Sequence, residues 1–433
     1  MIDPDISTQI EGRVLPHDAA MMELAIAEAE RGRGRTSPNP LVGAVIVDES
    51  AAEFGGAPVV LARGYHARAG LDHGEAAALR QLAGTEKARG KTLYVTLEPC
   101  NHIGRTGKCT EIILQAGLRR VVVGIRDPNP RVAGGGVERL RQAGVEVTVG
   151  VLAERCRYKN RGYLRWLQSG RPHLLLKAAV SLDGRLAPGS SAGGGPHWLT
   201  SSAARQHAHI LRDHCDAILV GAGTVLADDP QLTVRLPKDH ERAGDPRQPL
   251  RVVLDGALRT APTARLCAPG TLLLTSRTAL AAQRDRAQAL RDRGVEVLAL
   301  PPPSSDDVGP RAGLSPTSVD LYAVLHCLGE RGLLMAMCEG GATLHGAFLE
   351  AGLYDEAAIY VAPVFLGDEG VPLLRHFAVP SVSAAPWLTT MTSERLGPDL
   401  FISGPLRRGA FRPAGESGSA AGTREDGDVH RLG

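Results

Sequence analysis

The sequence predicts an α/β protein of two domains. Two series of apolar, strand-like runs alternate with helical runs, a pattern typical of sheets covered by helices. At 433 residues the chain is longer than one hydrophobic core usually supports. A helical run over 152–168, followed by the stop Ser169-Gly170-Arg171-Pro172, separates the two series.

We therefore divide the chain into five segments. They are an N-terminal arm over 1–16, a first domain over 17–150, a linker helix over 151–171, a second domain over 172–405 and a disordered tail over 406–433. The arm is expected to be loose. The tail has almost no apolar content, so it cannot support a packed structure.

In the first domain, Asp18 is placed to cap a helix that runs to Arg31. Strands are then predicted at 41–48, 58–63, 92–96, 120–125 and 145–149, and helices at 74–83, 109–117 and 136–143. In the second domain, strands are predicted at 173–180, 215–220, 250–254, 271–275, 295–299, 333–338 and 357–361. Surface loops are expected over 48–58, 238–249 and 301–316.

Composition narrows the class of function. The net charge of +2 gives no electrostatic case for nucleic acid or membrane binding. Seven scattered cysteines in so long a chain argue against a disulfide framework. No apolar run approaches the roughly 18 residues of a membrane span, and the N-terminus lacks a signal-peptide pattern. We therefore expect a cytoplasmic protein.

One group of residues has the chemistry of a hydrolytic zinc site. His73, Cys100 and Cys109 supply one imidazole and two thiols, and catalytic zinc takes three such ligands. Glu75 supplies the carboxylate with which zinc deaminases move protons beside the metal. The alternative is that the thiols are buried small hydrophobes. Eight residues separate the two cysteines, whereas two are usual in nucleobase deaminases.

A second group lies in the second domain. Lys177 is a charge on an apolar strand and requires a partner or a ligand; a salt-bridged lysine is the alternative. The segment Glu339-Gly340-Gly341 leads from a strand into a helix, and glycines before a helix allow a phosphate to approach the backbone. Packing can also explain such a turn. Trp198 is equally compatible with a core position.

Several longer motifs resemble the bifunctional deaminase–reductases of riboflavin biosynthesis. They are the segments 38–47 and 64–70, the long cysteine loop 98–109, the segment 127–136, and the second-domain runs 173–184, 198–201, 221–235 and 338–348. The resemblance covers about residues 17–405. It implies a cytidine-deaminase-like zinc domain followed by a domain similar to dihydrofolate reductase, with Zn²⁺ and NADPH as cofactors.

The resemblance also implies the roles of individual residues. NADPH contacts are implied for Ala179, Trp198, Thr224, Asp228, Gly256, Gly341, Ala342, Thr343, Leu344, His345, Gly346 and Ala347. Substrate contacts are implied for Asn39, His66, His102 and Arg105 in the first domain, and for Lys177, Arg212, Leu232, Arg235 and Glu339 in the second. The chain departs from the family at Gly74, where alanine is usual, at Ala77, where many members have histidine, and at Pro196, where some have serine.

The function implied is zinc-dependent deamination of a diamino-phosphoribosylamino-pyrimidinone, followed by NADPH-dependent reduction of its ribosyl group. The binding partner is thus a small phosphorylated molecule. The sequence does not decide whether the chain forms a homo-oligomer. Two rival hypotheses remain: a zinc deaminase of nucleic acid or free nucleobases, and a family member with one decayed site that acts as a binding or regulatory protein. The low net charge argues against a deaminase that acts on nucleic acid. The complete set of zinc-ligand and proton-transfer residues argues against a decayed site.

Overall fold

The computed structural model describes residues 10–82, 84–102, 107–129, 135–189, 198–302 and 319–407. Several sequence predictions concern residues outside these ranges. They are the first nine residues of the arm, Arg105, Pro196, most of the loop 301–316 and the tail from 408 onward.

A mixed five-stranded sheet forms the first domain. Its strands are β1 (Gly43–Asp48), β2 (Val59–Tyr65), β3 (Thr92–Leu97), β4 (Arg120–Ile125) and β5 (Glu146–Val149). Their spatial order is β2-β1-β3-β4-β5, with β1 antiparallel to both neighbours and β3, β4 and β5 parallel. The helices are α1 (Asp18–Glu30), α2 (Gly74–Gln81), α3 (Cys109–Gln115) and α4 (Gly136–Gln142), with 3₁₀ turns at Ala52–Phe54 and Thr85–Ala88.

Helices cover both faces of this sheet. Every residue of β3 and β4 is buried, as expected for strands that are apolar on both sides. On one face Leu79, Ile113 and Leu140 from α2, α3 and α4 pack on the sheet. On the other face Met22 and Ile26 from α1 do so. The predicted α/β layering is therefore confirmed for this domain.

The prediction that Asp18 caps α1 is wrong. The residue at the cap is His17, whose side chain makes no capping hydrogen bond. The Asp18 carboxylate is instead fully buried, where it accepts hydrogen bonds from Arg120 Nη1 and Nη2 at 2.8 and 2.7 Å and from the Tyr94 hydroxyl at 2.7 Å. A buried guanidinium requires a carboxylate partner, and this long-range requirement overrides local capping.

The described part of the N-terminal arm is attached to the domain. Glu11 forms a β-bridge with Val149 on the edge strand β5. Its carboxylate lies 2.9 Å from Arg126 and 3.0 Å from Arg141. Residues 10–16 therefore differ from the expected loose arm.

The linker is two helices rather than one. They are α5 (Ala153–Lys159) and α6 (Arg161–Ser169), and the break falls at Asn160. The Asn160 side chain accepts from the Leu41 amide at 2.8 Å and donates to the Leu41 carbonyl at 2.9 Å. Because α5 packs on α1 and β4 while α6 packs on β6, the break lies where the chain passes from one domain to the other.

The second domain is built on a ten-stranded sheet. Its strands are β6 (His173–Val180), β8 (Ala217–Gly221), β9 (Leu250–Leu254), β10 (Thr271–Ser276), β11 (Glu296–Leu300), β12 (Met335–Cys338), β13 (Glu356–Val361), β15 (Trp387–Leu388), β16 (Thr392–Leu396) and β17 (Asp399–Arg407); β7 (Arg185–Ala187) and β14 (Val371–Pro372) pair separately. The order is β11-β10-β9-β8-β12-β6-β13-β17-β15, and β16 pairs with β17.

The seven predicted strands of this domain are all present and run parallel to one another. The helices are α7 (Ser202–Asp213), α8 (Ala222–Asp228), α9 (Arg277–Ala282), α10 (Arg284–Asp292), α11 (Leu321–Glu330) and α12 (Ala342–Glu350), with a 3₁₀ turn at Val382–Ala384. Strand β17 extends to Arg407, two residues beyond the predicted end of the domain at 405. Within the described ranges, no helix has both the length and the apolar character to cross a membrane.

Polar contacts outside the two sheets join the first domain to the second. The buried Asp213 carboxylate lies 3.1 Å from Arg35 of the first domain and 3.2 Å from Arg242 of the second. Ser37 donates to Asp216 at 2.9 Å. The segment between α1 and β1 is thus bonded to the end of α7 and the start of β8.

Candidate active sites

The structure brings the three predicted zinc ligands together. His73 precedes α2, Cys100 follows β3 and Cys109 opens α3. His73 Nδ1 lies 3.5 Å from Cys100 Sγ and 3.3 Å from Cys109 Sγ, and all three atoms lie within 4.8 Å of one another. Tetrahedral zinc with ordinary Zn–N and Zn–S bonds places such atoms about 3.5 Å apart. The set therefore fits zinc without rearrangement.

The two thiols differ in acidity because they are in contact. The hydrogen bond from Cys109 lowers the pKa of Cys100, and the same contact raises the pKa of Cys109. Both sulfurs are buried, so a second negative charge there requires a cation. A divalent metal supplies it, and thiolates are the form in which cysteine binds zinc.

Glu75 lies beside the ligands without being one of them. It stands in the first turn of α2, two residues after His73, and its side chain is buried. Its Oε2 atom has no hydrogen-bond partner among the described residues. Burial, and next the charge of Cys100, raise the pKa of Glu75 to about 7. A carboxyl group in this state can take up and release a proton near neutral pH.

Asn39 and His66 form a second polar pair next to the metal ligands. The His66 ring packs edge-on against His73 with centroids 5.4 Å apart. His66 Nδ1 lies 2.8 Å from the Asp72 carbonyl, so Nδ1 must donate and Nε2 must accept. Asn39 Nδ2 lies 3.1 Å from that Nε2 and therefore donates to it. This fixes the Asn39 amide with its oxygen as the remaining acceptor.

Of the other predicted residues in this domain, His102 is exposed, and Arg105 lies outside the described residues. Gly74 fits a close approach: a Cβ there would lie 3.0 Å from the Val42 carbonyl. The family's usual alanine would force that carbonyl to shift. Ala77 makes no polar contact through its methyl group, and we assign it no role.

Sequence analysis missed the buried carboxylate that shapes the cysteine loop. Glu98 Oε1 accepts from the backbone N–H groups of Gly136 and Val137 at 3.1 and 3.0 Å. Its Oε2 accepts from the Asp127 N–H at 3.2 Å. Glu98 thereby ties the residues just before Cys100 to the start of α4. Its position one residue before Pro99-Cys100 was the only local signal.

In the second domain, three predicted substrate residues form a half-buried charge cluster. Arg212 donates to Glu339 at 2.5 and 2.8 Å, and Lys177 Nζ lies 3.7 Å from the same carboxylate. Burial alone would raise the pKa of Glu339, but the charges of Arg212 and Lys177 lower it to about 2. Burial lowers the pKa of Lys177, which lies 5.6 Å from the Tyr360 ring centre. The partner that Lys177 required is thus Glu339.

Next to this cluster, two glycines lie where strand β12 ends and helix α12 begins, beside α8 at the end of the adjacent parallel strand β8. Gly341 caps the N-terminus of α12, and a Cβ there would lie 3.2 Å from Thr224 Oγ1 on α8. Gly340 has φ +117°, a region that favours glycine. The Gly221 N–H donates to the Gly340 carbonyl at 2.8 Å. A side chain at 341 would crowd the Thr224 hydroxyl at the N-terminus of α12, where backbone N–H groups can bind a phosphate, so this arrangement fits a phosphate-bearing cofactor.

The other residues predicted to contact the cofactor differ in their exposure to solvent. Thr343 and Ala347 are exposed on α12, whereas Ala342, His345 and Gly346 are buried. A Cβ at Gly346 would lie 1.9 Å from the Arg375 carbonyl, so packing explains that glycine. The buried His345 contacts the Tyr354 hydroxyl at 2.8 Å, and burial lowers the pKa of His345 to about 4.

The remaining predicted residues surround the carboxyl edge of the sheet. Ala179 lies on β6 and Gly256 follows β9, where its carbonyl accepts from Ser276. Trp198 is exposed, with the Arg205 guanidinium 5.0 Å from its ring centre, so the core alternative for Trp198 is wrong. Asp228 ends α8 and is exposed. Leu232 is buried, and Arg235 is exposed beside Gln231 and His209.

The fold and these two sites fit one class of protein, a zinc deaminase domain joined to a reductase domain that takes a phosphate-bearing cofactor. Comparison with known families agrees. Residues 16–125 match the family described as the cytidine and deoxycytidylate deaminase zinc-binding region, and residues 172–402 match the RibD C-terminal domain.

Full-length relatives identify the family. The chain is 38% identical over 389 residues to the riboflavin biosynthesis protein RibD of Aquifex aeolicus, which covers 89% of this chain and 97% of the relative. It is 37% identical over 391 residues to that of Escherichia coli, covering 89% and 98%. The chain belongs to the RibD family.

Solved structures agree over the same length. RibD of Acinetobacter baumannii superposes with a TM-score of 0.74 at 35% identity, covering 90% of this chain and 99% of that one. A diaminohydroxyphosphoribosylaminopyrimidine deaminase/5-amino-6-(5-phosphoribosylamino)uracil reductase of Thermotoga maritima gives 0.71 at 29% identity, covering 90% and 98%. The protein is thus a bifunctional riboflavin-pathway enzyme, with a deaminase domain that uses zinc and a reductase domain that uses NADPH.

Proposed function

We propose that the first domain hydrolytically deaminates diaminohydroxyphosphoribosylaminopyrimidine through His73, Cys100, Cys109 and Glu75. The observation that carries this proposal is the convergence of His73 Nδ1 with the two sulfurs at zinc-ligand spacing, beside a buried carboxyl oxygen without a partner. When bound, zinc supplies the Lewis acidity that makes water a nucleophile near neutral pH.

Glu75 would move the protons of this reaction. Water replaces an amino group on the ring, so one proton leaves the water and one must reach the departing amine. Glu75 Oε2 can accept the first and deliver it to the second, because it lies beside the metal ligands and is not committed to another hydrogen bond among the described residues. Its burial keeps bulk water from exchanging that proton.

Substrate recognition in this domain would use the fixed orientation of Asn39. With its nitrogen donating to His66, the Asn39 oxygen would serve as an acceptor for an amino or ring N–H group of the pyrimidine. Burial lowers the pKa of His66 and keeps that ring neutral. His102 and Arg105, carried by the cysteine loop, would contact the substrate's phosphoribosyl part.

For the second domain, we propose reduction of the ribosyl group of 5-amino-6-(5-phosphoribosylamino)uracil. Gly341 and Thr224 would hold NADPH, which would supply the hydride. The charge cluster of Lys177, Glu339 and Arg212 adjoins Gly340 and Gly341 and would bind the sugar, while Leu232 and Arg235 would border its phosphate. The protein's main contribution is then to hold the sugar's first carbon against the nicotinamide.

The direct test is product identification. The purified chain is incubated with the pyrimidine substrate, first without and then with NADPH, and products are identified by mass. We expect the deaminated ribosyl compound alone without NADPH, and the ribityl compound with it. Deamination of nucleic acid or free nucleobases instead, or loss of one of the two steps, would favour the rival hypotheses.

The first prediction concerns metal content. We expect one zinc per chain, because His73, Cys100 and Cys109 complete a three-ligand set in the folded protein. Metal analysis of chain purified without added zinc measures it, with His73→Ala as the matched variant that should lose the metal. Well-folded wild-type chain with far less than one zinc would contradict the assignment.

The second prediction concerns Arg235. Arg235→Ala should weaken binding of the reductase substrate by about 2–3 kcal/mol, since it removes charged hydrogen bonds to the phosphate. The damage should appear mainly in KM, because the phosphate is remote from the carbon that accepts hydride. Arg259→Ala, which concerns an exposed arginine of the same domain, serves as the control. An unchanged KM for Arg235→Ala would exclude a contact between Arg235 and the substrate's phosphate.

A further inference from the structure

His209 and Arg235 make a contact that the two side chains alone cannot satisfy. His209 lies on α7, three residues before Arg212. Its Nδ1 atom lies 3.3 Å from the backbone N–H of Arg235, and its Nε2 atom lies 3.4 Å from Arg235 Nη2. Both ring nitrogens of one histidine thus face nitrogen atoms of one arginine.

The tautomer of His209 follows from the first contact. A backbone N–H can only donate, so Nδ1 must be the acceptor and Nε2 must carry the hydrogen. Burial, and next the charges of Arg212 and Arg235, lower the pKa of His209 to about 4, consistent with a neutral ring. The Nε2–H and the guanidinium N–H groups are therefore two donors that point toward one another.

Opposed donors are stabilised by an acceptor that bonds to both from one side, because nitrogens 3.4 Å apart leave no room for an atom directly between them. The described partners of Arg235 are Gln231 Oε1, at 3.3 Å, and His209, and both are uncharged. The neighbouring carboxylate, Glu339, already accepts two hydrogen bonds from Arg212 and pairs with Lys177. The local excess of positive charge favours an anionic oxygen at the His209–Arg235 gap.

We propose that His209 binds the substrate's phosphate in the reductase site together with Arg235. The Nε2–H of His209 and the Arg235 guanidinium bind one oxygen of this phosphate monoester. This rests on the proposed function, in which the reductase substrate carries a 5-phosphate. The proposed cofactor site at Gly341 and Thr224 is a separate feature. The 2′-phosphate of NADPH has the same chemistry as the substrate phosphate, so the test must separate the two sources.

The chain permits a test that discriminates between the two ring nitrogens. His209→Gln keeps a side-chain N–H near the position of Nε2, whereas His209→Asn keeps only a polar group near Nδ1. We expect His209→Asn to raise the reductase KM for the phosphorylated substrate on the order of tenfold, with kcat and the KM for NADPH unchanged. His209→Gln should stay within about threefold of wild type.

A second measurement tests the phosphate directly. Inhibition of the reductase by ribose 5-phosphate should weaken in His209→Asn by the same factor as the substrate KM rises, whereas inhibition by ribose should not change. His326→Asn, at an exposed position on α11, is the control for a surface histidine. Deaminase activity of each preparation reports that the chain is folded.

Several outcomes would overturn the inference. An equal KM for His209→Asn and wild type would exclude the contact, and a changed KM for NADPH alone would move it to the cofactor's 2′-phosphate. A fall in kcat in both His209 variants would indicate a structural role. If wild-type chain failed to reduce the phosphorylated substrate at all, the proposed function would fail first, which is a distinguishable result.

Discussion

Replacing Glu75 by glutamine is expected to lower deaminase turnover by about 10²–10⁴-fold while leaving the zinc content unchanged. The carboxyl group would take the proton from water and return it to the departing amine, and an amide can do neither. Its Oε2 atom is buried without a hydrogen-bond partner among the described residues, so the amide fits the same space. The ligand set His73, Cys100 and Cys109 does not include Glu75.

The experiment needs three readouts on one preparation: zinc per chain, deaminase turnover and reductase turnover. Glu86→Gln, at an exposed position in the same domain, is the matched control and should behave as wild type. Near-normal deamination by Glu75→Gln would show that another group moves the protons. Loss of zinc in that variant would instead mean that the carboxylate supports the metal site.

The zinc site could be predicted from sequence because local segments carry it. His73 immediately precedes the helix whose first turn contains Glu75, and Cys100 follows a fully buried strand. Such strands produce continuous apolar runs, which can be recognised in the sequence without knowledge of the strands that pair with them. For the same reason the seven parallel strands of the second domain were located within a few residues.

Two sequence predictions that were wrong, the cap of α1 and the single linker helix, depended on contacts with residues distant in the chain. Asp18 has the residue type and position of a helix cap, but its partner Arg120 lies 102 residues away. Asn160 interrupts the linker helix because it binds the backbone of Leu41, 119 residues earlier. Neither partner could be read from local pattern.

The strands over 387–407 were missed for a different reason. The residues of β16 are almost all exposed, and β17 alternates irregularly between buried and exposed positions. A hairpin of this kind lacks the apolar signal on which strand prediction depends. His209 was missed in the same way, since a histidine on a helix has no signal until its contact with Arg235 is seen.

The largest separable effect is expected from Cys100→Ser: deamination should fall to background while reduction continues when already deaminated substrate is supplied. A serine hydroxyl does not ionise as a thiol does, so the variant retains two of three ligands and should lose zinc. The zinc ligands lie on the five-stranded sheet and its helices, whereas Lys177, Arg212 and Glu339 belong to the ten-stranded sheet.

Cys156→Ser is the matched control, because Cys156 is also a buried thiol but lies on the linker helix α5, which packs on the opposite face of the five-stranded sheet. It should keep zinc and both activities, with only the modest loss of stability that a buried hydroxyl causes. Two contacts that join the domains, Arg35 with Asp213 and Ser37 with Asp216, include none of the zinc ligands. We therefore expect the reductase site to survive the loss of zinc. If Cys100→Ser silenced both reactions in folded protein while Cys156→Ser silenced neither, the two activities would depend on one composite site, and the assignment of separate centres would be wrong.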